Sequence, residues 1–307
     1  MRRPVVIVLL LVAILLVEPM HVLYAWNPTA HRVISSIAYR QLDPKTRQRV
    51  AEILHKHPAR AELWANRPTN GPDDVLNLLW NAGLFADDAR VEPWKKYSRP
   101  QTHYVNYRLL TQQGNTVEPP VAGENILASY QQHLAILGNP ATSDEDRALS
   151  LSWVFHQVGD IHQPLHSVAR FSKALPNGDR GGNEVKLTNP RAMAEWGQNL
   201  HAYWDDLLGQ EQDPAAIEKM AQELIEQFPS TGFVAELGKT RIEDWAEESM
   251  KVSLSTVYPG LDPEVTKLEA LPAEYEARAV QVARRRVALA GYRLAKELER
   301  LAGPPGQ

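Results

Sequence analysis

The sequence contains 307 residues, no cysteine, and a formal net charge of −4 at pH 7. The lack of cysteine excludes disulfides, lipid-modified cysteines and any metal site that uses thiolate ligands. The slightly acidic balance argues against a broad Lys/Arg surface of the kind that grips nucleic acid.

The first 25 residues have the features of a secretory signal peptide. Arg2 and Arg3 form the positive start, Val5 to Val17 is an unbroken run of 13 apolar residues, and Ala25 is a small residue at the expected cleavage site. The run is too short for an ordinary membrane-spanning helix, which needs ~20 residues. We therefore expect a secreted or periplasmic protein, with an uncleaved membrane anchor as the alternative.

Residues 26–303 are predicted to form one mainly helical domain, because no linker or internal repeat divides them. Asp43-Pro44 and Asp213-Pro214 each place an N-cap residue before a proline at the first helical position. Ser143 to Asp146 resembles a capping box. The predicted helices cover 44–55, the segment from 143 through the motif described below, 215–228, 242–257 and 273–301. In the last helix an apolar stripe predicts a core-facing side: Val280, Ala283, Val287, Ala290, Leu294 and Leu298.

Irregular segments are few. Arg67 to Asp74 and Pro93 to Thr102 are predicted loops, and Ala174 to Asn183 is a glycine-rich loop with turn signals. Val185 to Leu187 is predicted to add a short strand, and residues 304–307 to form a flexible tail. Helices joined by a few functional loops indicate a single all-α domain.

The densest group of candidate metal ligands lies between His156 and His166. His156 and Asp160 are spaced i, i+4, so both side chains point the same way on a helix. Pro164 should end that helix, which leaves His166 just beyond it. His201 and Asp205 repeat the i, i+4 spacing. Imidazole and carboxylate are the ligands that Zn²⁺ takes where thiolate is absent.

Further motifs occur in order along the chain: Trp26-Asn-Pro-Thr-Ala-His31, Phe85-Ala-Asp87-Asp-Ala-Arg90, Thr102-His103-Tyr-Val-Asn106, Gly181-Gly182-Asn183, Asn199-Leu-His201-Ala-Tyr-Trp-Asp205, Trp245-Ala-Glu-Glu-Ser249 and Ala290-Gly291-Tyr-Arg-Leu-Ala295. With the 156–166 motif, this series resembles the three-zinc, single-strand-specific nucleases of the mung bean nuclease type (3′-nucleotidase/nuclease), within the zinc-dependent phospholipase C superfamily. The resemblance covers essentially the whole mature chain. It implies a mainly helical domain of the phospholipase C/nuclease type with a trinuclear zinc cleft.

The resemblance also implies which residues bind the three Zn²⁺ ions. The first ion would be bound by Asp87, His103, His156 and Asp160, the second by His166, His201 and Asp205, and the third by Trp26, His31 and Asp160. Trp26 would bind through its free α-amine and its carbonyl oxygen. This requires cleavage directly before Trp26, since an amide nitrogen is not a basic ligand, and the predicted signal peptide ends at the same place.

The expected chemistry is hydrolysis of a phosphodiester. Zn²⁺ lowers the pKa of bound water to ~7, which gives hydroxide at neutral pH. Our hypothesis is that this hydroxide attacks phosphorus between the first and third ions while the second ion stabilises the departing 3′ oxygen. Asp87 and Arg90 are the candidate catalytic residues, with Arg90 as a bidentate donor to the transition-state oxygens. A plain surface salt bridge is the alternative for Arg90.

Two residues are candidates for substrate binding. Tyr104 takes the position where the family stacks an aromatic ring on a base, a contact worth ~1–3 kcal/mol per base. A core tyrosine is its alternative. Asn106 stands where the family has an aspartate that hydrogen-bonds the base, and an amide both donates and accepts, so we expect an altered or relaxed base preference. Phe85 replaces a family tryptophan, which indicates a change in packing.

The other histidines are not expected to be ligands. His55, His57 and His133 are predicted to be ordinary surface or packed residues. His162 lies inside the dense motif, but the family pattern does not use it as a ligand. It is therefore predicted to be a structural residue or a hydrogen-bond partner.

The predicted function is that of a secreted zinc phosphodiesterase. It would cleave single-stranded DNA and RNA to 5′-phosphorylated nucleotides, and it would remove the phosphate of 3′-nucleotides. We expect a monomer with no stable membrane association after the leader is cut. The alternatives are a zinc-dependent phospholipase C and a non-catalytic zinc-binding exported protein.

Overall fold

The computed structural model describes residues 26–65, 73–193 and 195–302. The predicted signal peptide, most of the predicted loop at 67–74 and the predicted tail lie outside these residues. Within the described ranges, no helix is long and apolar enough to span a membrane. The prediction of a single, mainly helical domain is confirmed.

The described residues contain ten α-helices and one small sheet. The helices are α1 (Pro28–Gln41), α2 (Pro44–Leu54), α3 (Asp74–Asp88), α4 (Ile126–Gly138), α5 (Asp144–Asp160), α6 (Leu200–Asp205), α7 (Pro214–Gln227), α8 (Val234–Leu237), α9 (Ile242–Val252) and α10 (Tyr275–Ala302). The strands are β1 (Tyr107–Leu110), β2 (Thr116–Glu118) and β3 (Val168–Phe171). β1 lies in the middle, antiparallel to β2 and parallel to β3.

Helix starts follow the predicted capping residues. The Asp43 carboxylate accepts hydrogen bonds from the first backbone N–H groups of α2, and Asp213 does the same for α7. Ser143 Oγ accepts from Asp146 N at 3.1 Å and donates to the Asp146 carboxylate at 2.7 Å. These side chains satisfy N–H groups that have no partner within the helix.

Helix α5 is the centre of the domain. It packs against α1, α2, α3, α4 and α10, and its residues 150–160 are all buried. The helix ends at Asp160, and Pro164 opens a short 3₁₀ turn, Pro164–Ser167, that carries His166. The order predicted around Pro164 is therefore confirmed.

The long helix α10 packs closely against α1. A Cβ atom at Gly291 would lie 2.6 Å from Ile37 Cβ, so only glycine permits this approach of the two helices. Five members of the predicted apolar stripe are fully buried and Val280 is half-buried. The stripe is a core face, as predicted.

One local prediction was wrong. Val185 to Leu187 does not form a strand, since in the described residues Lys186 makes isolated bridges to Asn199 and Lys267. The helical pattern predicted over 242–257 is confirmed, as an α-helix to Val252 followed by a π-helical turn over Ser253–Val257.

Candidate metal centre

Three groups of buried histidines and aspartates lie close to the carboxyl end of α5. Within each group, the potential ligand atoms all lie within 4.8 Å of one another. The groups are His31, His156 and Asp160; Asp87, His103 and His156; and His166, His201 and Asp205. The structure thus brings together eight of the nine predicted metal ligands.

Asp160 belongs to the first group and also faces His103 of the second. Its Oδ1 is 3.3 Å from His31 Nε2, while its Oδ2 is 3.0 Å from His103 Nδ1 and 3.1 Å from His156 Nε2. His31 comes from α1, and His103 from a 3₁₀ turn that ends shortly before β1. The two oxygens of one carboxylate therefore face histidines from two separate elements.

The third group is built on α6 and on the 3₁₀ turn after α5. His166 Nε2 lies 3.1 Å from His201 Nε2, and His201 Nε2 lies 3.6 Å from Asp205 Oδ2. The predicted i, i+4 spacing of His201 and Asp205 on one helix is confirmed.

Backbone carbonyls fix how these imidazoles are protonated. The Nδ1 atoms of His156, His166 and His201 lie 2.7 to 2.8 Å from the carbonyl oxygens of Gly83, His103 and Gly181. A carbonyl only accepts, so each Nδ1 carries a proton, and Nε2 is the nitrogen that each ring turns into its group. Metal-binding histidines are usually held in this way.

The imidazole nitrogens and carboxylate oxygens of the three groups are arranged as ligands for divalent cations. Lone pairs of His166 and His201 face each other across 3.1 Å, an arrangement that a cation between them would stabilise. His31 Nε2 and Asp160 Oδ1 are buried and lie 3.3 Å apart, but within the described ranges neither atom has a well-directed hydrogen bond. Imidazole nitrogen and carboxylate oxygen are ligands that suit Zn²⁺.

Burial and neighbouring charges shift the pKa values of the carboxyl groups. Burial raises the pKa of Asp205 well above its usual range, despite the hydrogen bond from Gln163. For Asp160, burial also acts to raise the pKa, but His156 and His103 hold it well below its usual range. Burial acts to lower the pKa of His156, but the carboxylates of Asp160 and Asp87 raise it to about 9. A cation beside Asp205 would keep that carboxyl ionised.

Arg90 lies at the edge of the second group. Its Nη2 is 2.7 Å from Asp87 Oδ1 and 3.4 Å from His103 Nδ1, and its side chain is only 8 % exposed. For the Asp87 carboxyl, burial acts to raise the pKa, but Arg90 and the nearby histidines bring it below its usual value. The guanidinium is thus held beside the candidate ligands rather than on an open surface.

The predicted substrate-binding residues follow His103 directly. Tyr104 has an extended backbone, and Val105 is buried with its N–H 2.8 Å from the His166 carbonyl oxygen. Because side chains alternate along an extended segment, Tyr104 and Asn106 share the opposite side, where both are partly exposed. Nothing in this geometry tests base binding, so that role stays a prediction.

Trp26 is fully buried at the start of α1. The backbone N–H of its neighbour Asn27 points to the Asp205 carbonyl oxygen at 3.4 Å. This contact places the start of the described chain beside Asp205, in the group that also contains His166 and His201. Trp26 as a metal ligand stays a prediction, as do the individual roles of the other site residues.

The remaining histidines have other partners. His162 Nδ1 donates to the Val158 carbonyl at 2.7 Å, and its Nε2 lies 2.8 Å from Arg293 Nη1. His57 stacks on Trp64, and His133 stacks on Trp153. These three rings are therefore packed side chains.

Sequence reasoning missed the supporting role of Gln163. Its Nε2 donates to Asp205 Oδ1 at 2.7 Å, and its Oε1 accepts from Leu165 N at 2.5 Å. Gln163 thereby connects the peptide after α5 to a candidate ligand on α6. Its place between Asp160 and His166 in the dense motif was the available signal.

We expect Gly159→Ala to disturb the His31 ring. A Cβ atom at Gly159 would lie 2.8 Å from His31 Nδ1 and Cε1. Such overpacking costs about 1–3 kcal/mol, so the melting temperature and the zinc affinity should both fall. Gly138→Ala, where nothing lies within 4 Å of the new Cβ, is the matched control. Unchanged melting and zinc binding in Gly159→Ala would contradict the close approach.

Comparison with known proteins agrees with the geometry. A family model for S1/P1 nuclease matches residues 26–303. Endonuclease 2 of Arabidopsis thaliana is 26 % identical over 318 residues, which cover 97 % of this chain and 97 % of the relative. Nuclease S1 of Aspergillus oryzae is 25 % identical over 303 residues, with 92 % and 93 % covered. Nuclease P1 of Penicillium citrinum is 22 % identical over 300 residues, with 91 % and 98 % covered. The family expected from the motifs is confirmed: the chain belongs to the S1/P1 nuclease family and is a nuclease acting on nucleic acids.

Proposed function

We propose that this nuclease is a zinc-dependent phosphodiesterase that cleaves single-stranded DNA and RNA to 5′-phosphorylated nucleotides and also acts as a 3′-nucleotidase. The observation that carries the proposal is the meeting of three buried His/Asp groups at the end of α5, with Arg90 beside them. The names of the relatives, endonuclease 2 and nucleases S1 and P1, support a nucleic acid as the substrate.

The three groups would hold three Zn²⁺ ions, and Trp26 would add its α-amine and carbonyl oxygen to the His31 and Asp160 ligands. When bound, Zn²⁺ lowers the pKa of water and neutralises charge on phosphoryl oxygens. His156, His166 and His201 need no tautomer change to bind, because backbone carbonyls already hold their Nδ1 protons. This preorganisation reduces the cost of assembling the centre.

Arg90 would bind the phosphoryl oxygens that gain charge during cleavage. Asp87 holds the guanidinium at 2.7 Å, which restricts its rotamers before substrate arrives. Donors fixed in place in this way favour the transition state, because they do not have to reorganise during the reaction. Tyr104 would stack on a base, and Asn106 would hydrogen-bond it.

We also propose that the protein is exported and that its leader is cut directly before Trp26. The mature protein would be secreted or periplasmic, monomeric, and without stable membrane association. Support comes from the leader-like composition of residues 1–25 and from the buried position of Trp26 beside α1.

A protein with one glycine added before Trp26 should bind one zinc fewer than the protein that starts at Trp26. The added peptide bond converts the basic α-amine into an amide, which is no longer a metal ligand. We expect zinc counting by mass spectrometry to show this loss, together with a fall in nuclease activity of about 10²-fold or more, or roughly 2.7 kcal/mol.

The matched control is the same extended protein after a protease has removed the extension to restore Trp26. Its zinc content and activity should return. Full zinc content and activity in the extended protein would argue against Trp26 as a ligand.

The proposed function is tested with the protein that starts at Trp26, loaded with zinc and incubated with a short single-stranded oligonucleotide. Mass spectrometry would identify the ends of the products, with and without a chelator. We expect 5′-phosphorylated nucleotides that disappear with the chelator. Cleavage that is insensitive to the chelator, or products with 3′-phosphates, would overturn the proposal. Hydrolysis of phosphatidylcholine alone would favour a phospholipase C.

A further inference from the structure

The peptide that joins the three groups has all its backbone carbonyls hydrogen-bonded. Every backbone carbonyl from Gln157 to Pro164 accepts a hydrogen bond. Five of the donors lie within the segment itself or at His166, as expected for a helix end followed by a turn. The other three carbonyls, those of Ile161, His162 and Pro164, accept from side chains far away in sequence.

These three donors come from α9, from the π-helical turn that follows it and from α10. Ser249 Oγ donates to the Ile161 carbonyl, and Ser253 Oγ donates to the Pro164 carbonyl at 2.7 Å. Arg286 Nε on α10 donates to the His162 carbonyl at 3.1 Å. All three side chains are buried. A buried carbonyl without a donor costs ~1–3 kcal/mol, so these bonds restrict the path of the peptide.

Arg286 connects the individual contacts. Besides the His162 carbonyl, it donates from Nη2 to Ser249 Oγ at 2.5 Å. Ser249 then has its own proton left for the Ile161 carbonyl. One guanidinium therefore fixes two consecutive carbonyls, one directly and one through a hydroxyl.

The charge of Arg286 is balanced away from the metal centre. The Glu248 carboxylate lies 3.4 Å from Arg286 Nη1 and 2.8 Å from Arg293 Nη1, and Lys239 Nζ lies 3.0 Å from it. Arg293 also donates to His162 Nε2 at 2.8 Å. One carboxylate beside the turn after α5 is therefore paired with three positively charged side chains.

We propose that Arg286 and Ser249 are positioning residues for the metal centre, which set the distance and direction between Asp160 and His166. Asp160 and His166 belong to different groups, and they flank the peptide whose carbonyls accept the three bonds. The inference rests on the proposed zinc function. It assigns the α9 and α10 side chains a role in zinc affinity that goes beyond stabilising the fold.

The test measures zinc binding without substrate. Protein starting at Trp26 is stripped of metal and titrated with Zn²⁺ in competition with a coloured chelator, and each variant is melted with and without zinc. We expect Ser249→Ala to bind zinc about 10–100-fold more weakly, the range for partners that orient metal ligands. With zinc in excess, its nuclease activity should approach that of the parent.

Conservative variants separate positioning from stability. Arg286→Lys keeps the charge, but an ammonium does not reproduce the guanidinium fork that reaches both acceptors, so we expect weakened zinc binding. Ser249→Thr keeps the hydroxyl and should bind zinc as tightly as the parent protein. Tyr292→Phe is the matched control, because it removes a hydroxyl bond from α10 to the Phe228 carbonyl, which is not part of this peptide. Its zinc affinity should equal that of the parent.

Two outcomes would overturn the inference. One is parental zinc affinity in Ser249→Ala and Arg286→Lys with only a lower melting temperature. The other is an equal loss of affinity in Tyr292→Phe. If Ser249→Ala fails to fold, Ser253→Ala removes the parallel bond to Pro164 and carries the same expectation. A parent protein that binds no zinc would instead refute the proposed function.

Discussion

Replacing Asp160 with asparagine should remove two zinc ions per chain and lower kcat/KM by about 10³-fold or more, roughly 4 kcal/mol in transition-state stabilisation. The two Asp160 oxygens face His31 on one side and His103 and His156 on the other. An asparagine has the same shape, but it lacks the negative charge that balances two adjacent cations. Zinc counting and initial rates on a single-stranded oligonucleotide measure both effects.

Asp179→Asn is the matched control for this change. Asp179 is also fully buried, and its carboxylate accepts from Arg170 N and Tyr258 Oη rather than facing histidines. We expect that variant to keep all its zinc even if its melting temperature falls. Retention of three ions by Asp160→Asn would show that the carboxylate does not bridge two of them.

Arg90→Ala should lower kcat by about 10²- to 10³-fold, or roughly 2.7–4 kcal/mol, the range for one preorganised donor to transition-state oxygens. The guanidinium lies beside Asp87 and His103, within reach of the atoms that would surround a bound phosphate. We expect KM to change less than kcat, since the charge on the phosphoryl oxygens grows during the reaction. Steady-state rates on a dinucleotide substrate give the two constants separately.

Two controls accompany Arg90→Ala. Zinc content has to be measured in the same sample, because Arg90 also contacts the candidate ligand Asp87. Arg99→Ala removes a positive charge from the same connecting loop, where Arg99 is exposed and donates to the backbone carbonyls of Lys96 and Ser98. That variant should retain parental kcat. Full turnover by a zinc-loaded Arg90→Ala protein would remove Arg90 from catalysis.

The parts of the site that are local in sequence could be predicted from spacing. His156 with Asp160, and His201 with Asp205, share a helix face because the α-helical repeat places i and i+4 together. The same holds for the starts of α2, α5 and α7, where a capping side chain and its backbone partner lie within three residues. Such features depend on short-range geometry and little else.

The assembly of the groups could not be predicted from spacing. His31, Asp87 and His103 reach the His156 and Asp160 end of α5 because α1 and α3 pack on α5 and because β1 pairs in parallel with β3. These contacts join segments many residues apart. The family motifs supplied this information, since they identify residues that act together without giving the packing that brings them together.

The supporting carbonyls were also out of reach of sequence reasoning. Gly83, Gly181 and the backbone of His103 act through their peptide oxygens, which every residue possesses. The bonds from Ser249 and Arg286 could not be predicted either, because the sequence around a helical serine or arginine does not indicate which distant carbonyl it will contact. Only the folded arrangement identifies them.

The hydrogen bonds from the last helices to the turn after α5 also bear on how the protein opens. Segments with exposed backbone bonds can unfold locally while the rest of a domain stays intact. In the turn at 161–164, three carbonyls accept hydrogen bonds from α9, from the π-helical turn after it and from α10. Movement of this turn would break these buried bonds. We therefore expect the peptide bearing Asp160 and His166 to unfold together with the C-terminal helix. Hydrogen exchange at its amides should then follow global unfolding, and any metal bound by the two residues should be released slowly while the domain stays folded.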